Sequence, residues 1–328
     1  MQAFEYANPT TLQEALKLLS SSWGEVDVLA GGTDLISLMK DYVHTPKRVV
    51  NIKGIKELGG MGKSGQGIRI GALVTFDELA ENALIRTQYP AIHEAVLGVA
   101  SPQIRNMGTA GGDLCQRPRC WYFRMGHGLL AQDANGRSLV VNGQNRYHAI
   151  FGGGPAYFVS ASSLGPPLIA YGAKVKLAST SGVRELPVEQ FFVAPKDDKT
   201  REVALQPNEI LTEILVPAAA GLKSATYEIR EREVLDWPLV TASVALKMSG
   251  SRVSSARVVL GHVAPTPWVA KAAEQMLAGK TLSEAVAEQA GEAAVQDAQP
   301  LSDNGYKVQL AKVAVKRALL SAAGLWKA

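Results

Sequence analysis

Two stretches carry the residue types that hold a diphosphate through the backbone: Leu29-Ala30-Gly31-Gly32-Thr33-Asp34-Leu35 and Arg105-Asn106-Met107-Gly108-Thr109-Ala110-Gly111-Gly112-Asp113-Leu114. In each, a Gly-Gly pair lets N–H groups approach a ligand with no Cβ in the way, beside a small hydroxyl or acidic residue. Either pair taken alone is equally a tight turn. The arrangement suits a pyrophosphate, and two such stretches, each after an apolar run, are harder to dismiss as turns. Neither has the Gly-x-Gly-x-x-Gly spacing, so a Rossmann fingerprint is absent.

Other chemistries find less support. There is no Gly-x-Ser-x-Gly, His-Glu-x-x-His or Walker loop, which weighs against hydrolysis and phosphoryl transfer. His44, His93, His127, His148 and His262 are scattered and read as surface or satisfied core histidines, with only His148 in a dense polar and aromatic context. Cys115 and Cys120 are the only cysteines, too few for a disulfide framework. An iron-sulfur cluster normally takes four thiolates. His127 is a conceivable third ligand here and nothing supplies a fourth, so free thiols are expected. Trp121, Tyr122 and Phe123 read as packing or a subunit contact.

The elements around these residues follow from periodicity. Thr11 and Glu14 form a capping-box pattern ahead of Leu12, Ala15, Leu16 and Leu19, which share a helical face. Residues 26–30 read as a strand, 35–39 as a helix and 48–52 as a strand, closing a small α/β unit. The glycine-rich 59–67 is a boundary or hairpin. A second unit has a strand at 68–72 and helices at 76–84 and 90–99. Residues 115–154 lose apolar periodicity and read as a loop insertion, functional or interfacial by its length.

Beyond it, 156–160 and 174–178 read as strands with a short helix over 168–173, 187–206 as a mobile-looking connection, and 209–216 as a strand. The last third has strands at 225–230, 240–248 and 257–263, then helices at 269–278, 282–295 and 306–320. That order predicts a sheet covered on one face by helices. Val240, Ala242, Val244 and Leu246 alternate with Thr241, Ser243, Ala245 and Lys247, as on a half-buried strand. The overall expectation is α+β.

Composition agrees with a globular chain: of 328 residues, 47% are hydrophobic and 20% charged. The balance of 34 basic against 30 acidic residues comes without a Lys/Arg block, so nothing marks a nucleic-acid surface. No apolar run reaches the roughly 18 residues of a membrane span, and the N-terminus lacks a signal-peptide pattern. A cytoplasmic location is the expectation.

The two turns, together with Gln103-Ile104-Arg105-Asn106 and the stretch Arg230-Glu231-Arg232-Glu233-Val234-Leu235-Asp236-Trp237-Pro238, resemble the FAD-binding medium subunit of the molybdenum hydroxylases, the xanthine dehydrogenase, aldehyde oxidoreductase and carbon monoxide dehydrogenase group. The resemblance runs through essentially the whole chain. It implies an FAD-binding domain of p-cresol methylhydroxylase type over 1–218, in two α/β subdomains of about 1–57 and 58–218. A C-terminal domain over 219–328 follows, a three-stranded sheet covered by helices.

By the same resemblance both turns hold the FAD pyrophosphate through backbone amides, with hydroxyl contacts from Thr33 and Thr109. The flavin-contacting set carried over is Leu29, Ala30, Gly31, Gly32, Thr33, Asp34, Leu35, Ser101, Thr109, Gly111, Gly112, Asp113 and Arg230. No residue of this chain is implied to be catalytic or to bind a metal. The implied chemistry is electron transfer from iron-sulfur centres to an external acceptor, beside a molybdenum-cofactor large subunit and a 2Fe-2S small subunit.

Residues 115–124 and 145–150 resemble the branch whose insertion binds a 4Fe-4S cluster, yet 128–144 supply no further cysteine, so the insertion is expected kept and the cluster lost. Asp113 stands where many relatives have Asn, and Ser163 where they have an acidic residue. A stand-alone flavin oxidase of the same fold and a flavin-free scaffold subunit are the alternatives.

Overall fold

A computed structural model describes residues 1–99, 101–197, 199–232 and 236–326. Asp198 of the 187–206 connection, Glu233, Val234 and Leu235 of the quoted 230–238 stretch, and Lys327 and Ala328 lie outside the described residues.

Three sheets follow one another along the chain. The first is parallel: β1 (Glu5–Ala7), β2 (Val26–Leu29) and β3 (Arg48–Asn51) in the order β1-β3-β2. Parallel pairing demands crossovers, supplied by the helices Leu12–Lys17 and Leu35–Lys40. The expected Thr11 cap is present, its side chain accepting from the Glu14 amide at 3.2 Å. The first glycine turn therefore leaves the carboxyl end of β2, the end of a parallel strand where α/β folds place ligands.

The second sheet is antiparallel: β4 (Met61–Ser64), β5 (Gly67–Gly71), β6 (Lys174–Ser179), β7 (Gly182–Pro187) and β8 (Ile210–Val216), in the order β4-β5-β8-β6-β7. The glycine-rich 59–67 stretch is a hairpin, with Gly65 at φ +57° in its turn. The helices Phe76–Glu81 and Pro90–Leu97 bury Phe76, Leu79, Ala91, Ile92, Ala95 and Val96 beside this sheet.

The third sheet is antiparallel: β9 (Leu222–Arg230), β10 (Pro238–Ser249), β11 (Arg252–Gly261) and β12 (Trp268–Val269), in the order β12-β11-β10-β9. Its three long strands cover those expected at 225–230, 240–248 and, in large part, 257–263, and β12 adds a two-residue edge. The helices Lys271–Leu277, Glu284–Ala294 and Tyr306–Ala323 share an apolar core with Val240, Ala242, Val244 and Leu246.

The half-buried expectation for β10 needs correction. Thr241, Ser243 and Ala245 are buried as well, because the opposite face packs on the middle of the chain. Hydroxyls are tolerated there because they are bonded: Thr226 Oγ1 donates to the Ala91 carbonyl at 2.8 Å and lies 2.7 Å from Ser243 Oγ.

Four further readings change. The segment 156–160 joins no ladder and is tied by single bonds, Tyr157 O accepting from the Ala149 amide and the Ser160 amide donating to Ala264 O, both at 2.9 Å. A helix, Pro102–Met107, follows the 90–99 helix and runs into the second glycine stretch, where the polar run hid any apolar period. The 187–206 connection contains the helix Val188–Phe191 and a bridge between Phe192 and Val203. The insertion holds the helix Trp121–Arg124 and a small core in which Phe123, Leu129 and Leu130 meet Leu38 and Phe158.

A candidate diphosphate cleft between two glycine turns

The two glycine stretches come together. A Cβ on Gly31 would stand 1.8 Å from the Met107 carbonyl oxygen, so the first turn lies directly against the end of Pro102–Met107 that leads into the second. Beside this contact opens a cavity of about 340 Å³. Of the carried-over set, Ala30, Gly31, Gly32, Thr33, Asp34, Leu35, Thr109, Gly112 and Asp113 line it.

Leu29, Ser101, Gly111 and Arg230 stand away from that wall. Leu29 ends β2. Ser101 caps Pro102–Met107, accepting from the Ile104 amide at 3.2 Å. Gly111 is a packing glycine whose Cβ would meet Ala72 Cβ at 2.8 Å. Arg230 pairs with Glu228 and donates to Gly98 O, bracing that wall residue from behind. Burial pushes the Glu228 carboxyl above its ordinary range, against the pull of Arg230.

The backbones of the two turns differ. In the second, the pair is not a loop but the first turn of a helix, Ala110–Cys115. Its amides are engaged: Ala110 N with Val74 O at 2.8 Å, Gly111 N with Ala72 O at 2.9 Å, Gly112 N with Thr109 Oγ1 at 3.1 Å and Asp113 N with Thr109 O at 2.9 Å. In the first, the amides of Gly31, Gly32, Thr33 and Asp34 donate to no group among the described residues. Gly32 has φ +78°, a left-handed conformation open to glycine at little strain.

Asp34 occupies the N-cap position of Leu35–Lys40 without capping it. Its carboxylate is held by the insertion instead. Oδ2 accepts from the Arg117 amide at 2.8 Å, and Oδ1 from Arg124 Nη2 at 2.7 Å with Arg119 Nη2 at 3.3 Å. Arg119 also stacks on Trp237, its guanidinium carbon 4.5 Å from the ring centroid.

Asp113 turns inward. It accepts from Ser162 Oγ, from the Ser163 amide at 3.2 Å, the Leu164 amide at 2.9 Å and Gln116 Nε2 at 2.9 Å. Burial pushes its carboxyl up to about 6 against the opposing pull of these bonds. This residue shapes the 162–164 segment and so places Ser163 on the cavity wall.

A polar chain that the sequence did not announce runs along the cleft wall, with Asp27, His44 and Arg117 lining the cavity. Arg117 pairs with buried Glu202 and donates to His44 Nε2 at 2.8 Å, and His44 Nδ1 lies 3.0 Å from Asp27 Oδ2. Arginine only donates, so Nε2 accepts and Nδ1–H donates to Asp27. Burial pulls Arg117 down to about 10, opposed by Glu202. The crowding of arginines over 117–124 is the one signal that could have pointed here; Asp27, His44 and Glu202 are too far apart in sequence.

The thiols do not fit an iron-sulfur cluster. Burial pushes Cys115 up to about 12, the reverse of what a thiolate ligand needs. Cys120 Sγ lies 3.2 Å from His148 Nε2, and burial pulls His148 down to about 4. No group of three or more His, Cys, Asp or Glu among the described residues is disposed to hold a metal. Trp121 packs edge-on against His148 and Tyr147, with ring centroids 5.4 and 5.6 Å away.

Known proteins match this chain in family and fold. Residues 2–219 match the family model described as the FAD binding domain in molybdopterin dehydrogenase, and 225–322 the CO dehydrogenase flavoprotein C-terminal domain. The carbon monoxide dehydrogenase medium chain of Hydrogenophaga pseudoflava is 30% identical over 97% of this chain and 96% of its own length. The aldehyde oxidoreductase FAD-binding subunit PaoB of Escherichia coli K12 is 30% identical over 95% of this chain and 96% of its own.

Among solved structures, carbon monoxide dehydrogenase from Hydrogenophaga pseudoflava superposes with a TM-score of 0.78 at 30% identity, covering 99% of both chains. Quinoline 2-oxidoreductase from Pseudomonas putida 86 gives 0.77 at 25% identity, over 99% of this chain and 98% of its own. The chain therefore belongs to the family of FAD-binding medium subunits of the molybdenum hydroxylases.

Proposed function

We propose that this chain binds FAD in the cleft between the two glycine turns and passes electrons from a partner's iron-sulfur centres to an external acceptor. The observation that carries the reading is the open backbone of Gly31, Gly32, Thr33 and Asp34, facing a cavity that the second turn completes. Those amides and the Thr33 hydroxyl would hold the pyrophosphate, with Thr109 and Gly112 opposite. Bound flavin supplies the redox chemistry; the protein supplies position and field.

The chain's own contributions are binding and orientation. Gly31 keeps the turns in contact, Arg119 and Arg124 compensate the Asp34 charge beside the diphosphate, the Arg117 amide holds its other oxygen, and Asp113 holds the 162–164 wall. The domain division that suits this role is an FAD-binding region over 1–218, carrying the 115–154 insertion, and a C-terminal region over 219–328. A molybdenum-cofactor large subunit and a 2Fe-2S small subunit are the proposed partners, in a cytoplasmic heterotrimer where the large subunit oxidises the organic substrate. No helix among the described residues is long and apolar enough to cross a membrane.

The test is purification from cells producing the whole complex. Absorbance near 450 nm with one FAD per chain, and copurification with molybdenum and iron-sulfur subunits, is the expected result. A flavin-free chain overturns the reading in favour of a scaffold. Substrate oxidation by the chain alone overturns it in favour of a stand-alone oxidase.

A further inference from the structure

Aspartate at an N-cap position ordinarily turns its side chain back onto the first amides of its own helix. Asp34 stands there and makes no such bond. Its two oxygens are taken by groups from the insertion, the Arg117 amide and the Arg124 and Arg119 guanidinia. The pair with Arg124 is largely buried, the side chains 16% and 15% exposed, so geometry and charge are both held. Arg124 is itself fixed, Nε donating to Pro118 O at 2.9 Å, and Nη1 reaches Ser37 Oγ at 3.5 Å.

A free carboxylate at this position would act twice against an anion. It would turn onto the first amides of the helix, those of Ile36 and Ser37, and it would place an uncompensated negative charge beside the open amides of residues 31–34, a repulsion that an approaching diphosphate meets in full at low dielectric. Two guanidinia on the carboxylate remove both effects. Charge-assisted bonds of this kind are also the stronger class of hydrogen bond.

We infer that the 115–154 insertion serves as a brace for the diphosphate-binding turn, with Arg124 a positioning residue that draws the Asp34 carboxylate away from the amides of residues 31–34. The inference rests on the proposed flavin site and adds a role for the insertion that needs no metal cluster. It also accounts for the arginines at 119 and 124, whose guanidinia converge on one carboxylate beside the backbone amide of residue 117.

The experiment titrates the full-length apoprotein with FAD and, separately, with ADP, which carries the diphosphate without the flavin. Arg124→Met is expected to weaken both ligands by about tenfold, the equivalent of one lost charge-assisted contact. Arg124→Lys, which keeps the charge, retains part of the affinity. Arg124→Met combined with Asp34→Ala recovers most of it, since the carboxylate that would turn back is gone.

Equal affinity of wild type and Arg124→Met overturns the brace, as does a loss confined to FAD, or a double variant as weak as the single, which marks plain loss of packing. If Arg124→Met does not fold, Arg124→Lys and Asp34→Ala carry the test: a lysine variant binding as tightly as wild type while Asp34→Ala binds more weakly overturns the inference. Wild type that binds neither FAD nor ADP overturns the flavin site itself, a result distinct from all of these.

Discussion

The two glycine turns look alike in sequence and do opposite things with their backbones. Around Thr109 the amides are bonded internally, to Ala72, Val74 and Thr109 itself, so this segment is a clamp between the second sheet and the helix Ala110–Cys115. Around Gly31 the amides are open, and the carboxylate beside them, that of Asp34, is tied to the insertion. The lesson is that Gly-Gly next to Thr and Asp signals close backbone approach; whether the backbone approaches protein or ligand depends on what already holds its N–H groups.

The largest test of this contrast is Gly31→Ala. The new methyl lies 1.8 Å from a backbone carbonyl, which cannot rotate aside. We expect about 3 kcal/mol or more of destabilisation, at the severe end for a point mutation, with loss of FAD binding. Urea unfolding measures it; a variant within about 1 kcal/mol of wild type would mean that the turns are not in contact.

Asp113→Asn comes next. The amide loses acceptor capacity facing Ser162 Oγ and the Ser163 and Leu164 amides. Leaving a buried donor unpaired destabilises by about 1–3 kcal/mol, read in the same unfolding experiment.

Gly32→Ala and Thr109→Ala then form a matched pair of smaller effects. Alanine at φ +78° pays about 1–2 kcal/mol of left-handed strain in the open turn, and we expect weakened FAD affinity along with lower stability. Loss of the Thr109 cap is worth about 1 kcal/mol, and with the amides of the second turn bonded internally its effect falls mainly on stability. If Thr109→Ala instead weakens FAD as much as Gly32→Ala, the two turns share the ligand evenly and the contrast is wrong.

The most graded test is pH. Burial lowers His148 to about 4 and His262 to about 3, from an ordinary 6.5, so the unfolded chain takes these protons first. Their contribution is fully present above pH 6.5 and is lost as pH falls toward 4 and 3. Asp113 acts oppositely: raised to about 6 from 3.8, it contributes stability that is full below 3.8 and lost as pH rises through 6. Melting temperature should therefore fall on acidification below 6.5, and fall more steeply in Asp113→Asn; an unchanged slope would place Asp113 in a solvated setting.

Several elements were legible because they rest on local chemistry. The Thr11 cap, the helix after Asp34, the 59–67 hairpin and the three long C-terminal strands all follow from residues close in sequence. Those missed depend on neighbours distant in sequence. Residues 156–160 have the composition of a strand, but among the described residues no strand pairs with them. Thr241 and Ser243 looked solvent-facing until Pro90–Leu97 and Gly165–Ala170 covered them.

Sequence alone determined which backbones can come close: glycines at 31, 32, 111 and 112, and two cysteines too few for a cluster. It also determined the family, since whole-length resemblance is a property of residue order. Tertiary structure alone decided which amides stay open and where the Asp34 and Asp113 carboxylates point. The physical reason is that a hydrogen-bonding group is defined by its partner, and the partners of Asp34 arrive from more than eighty residues away.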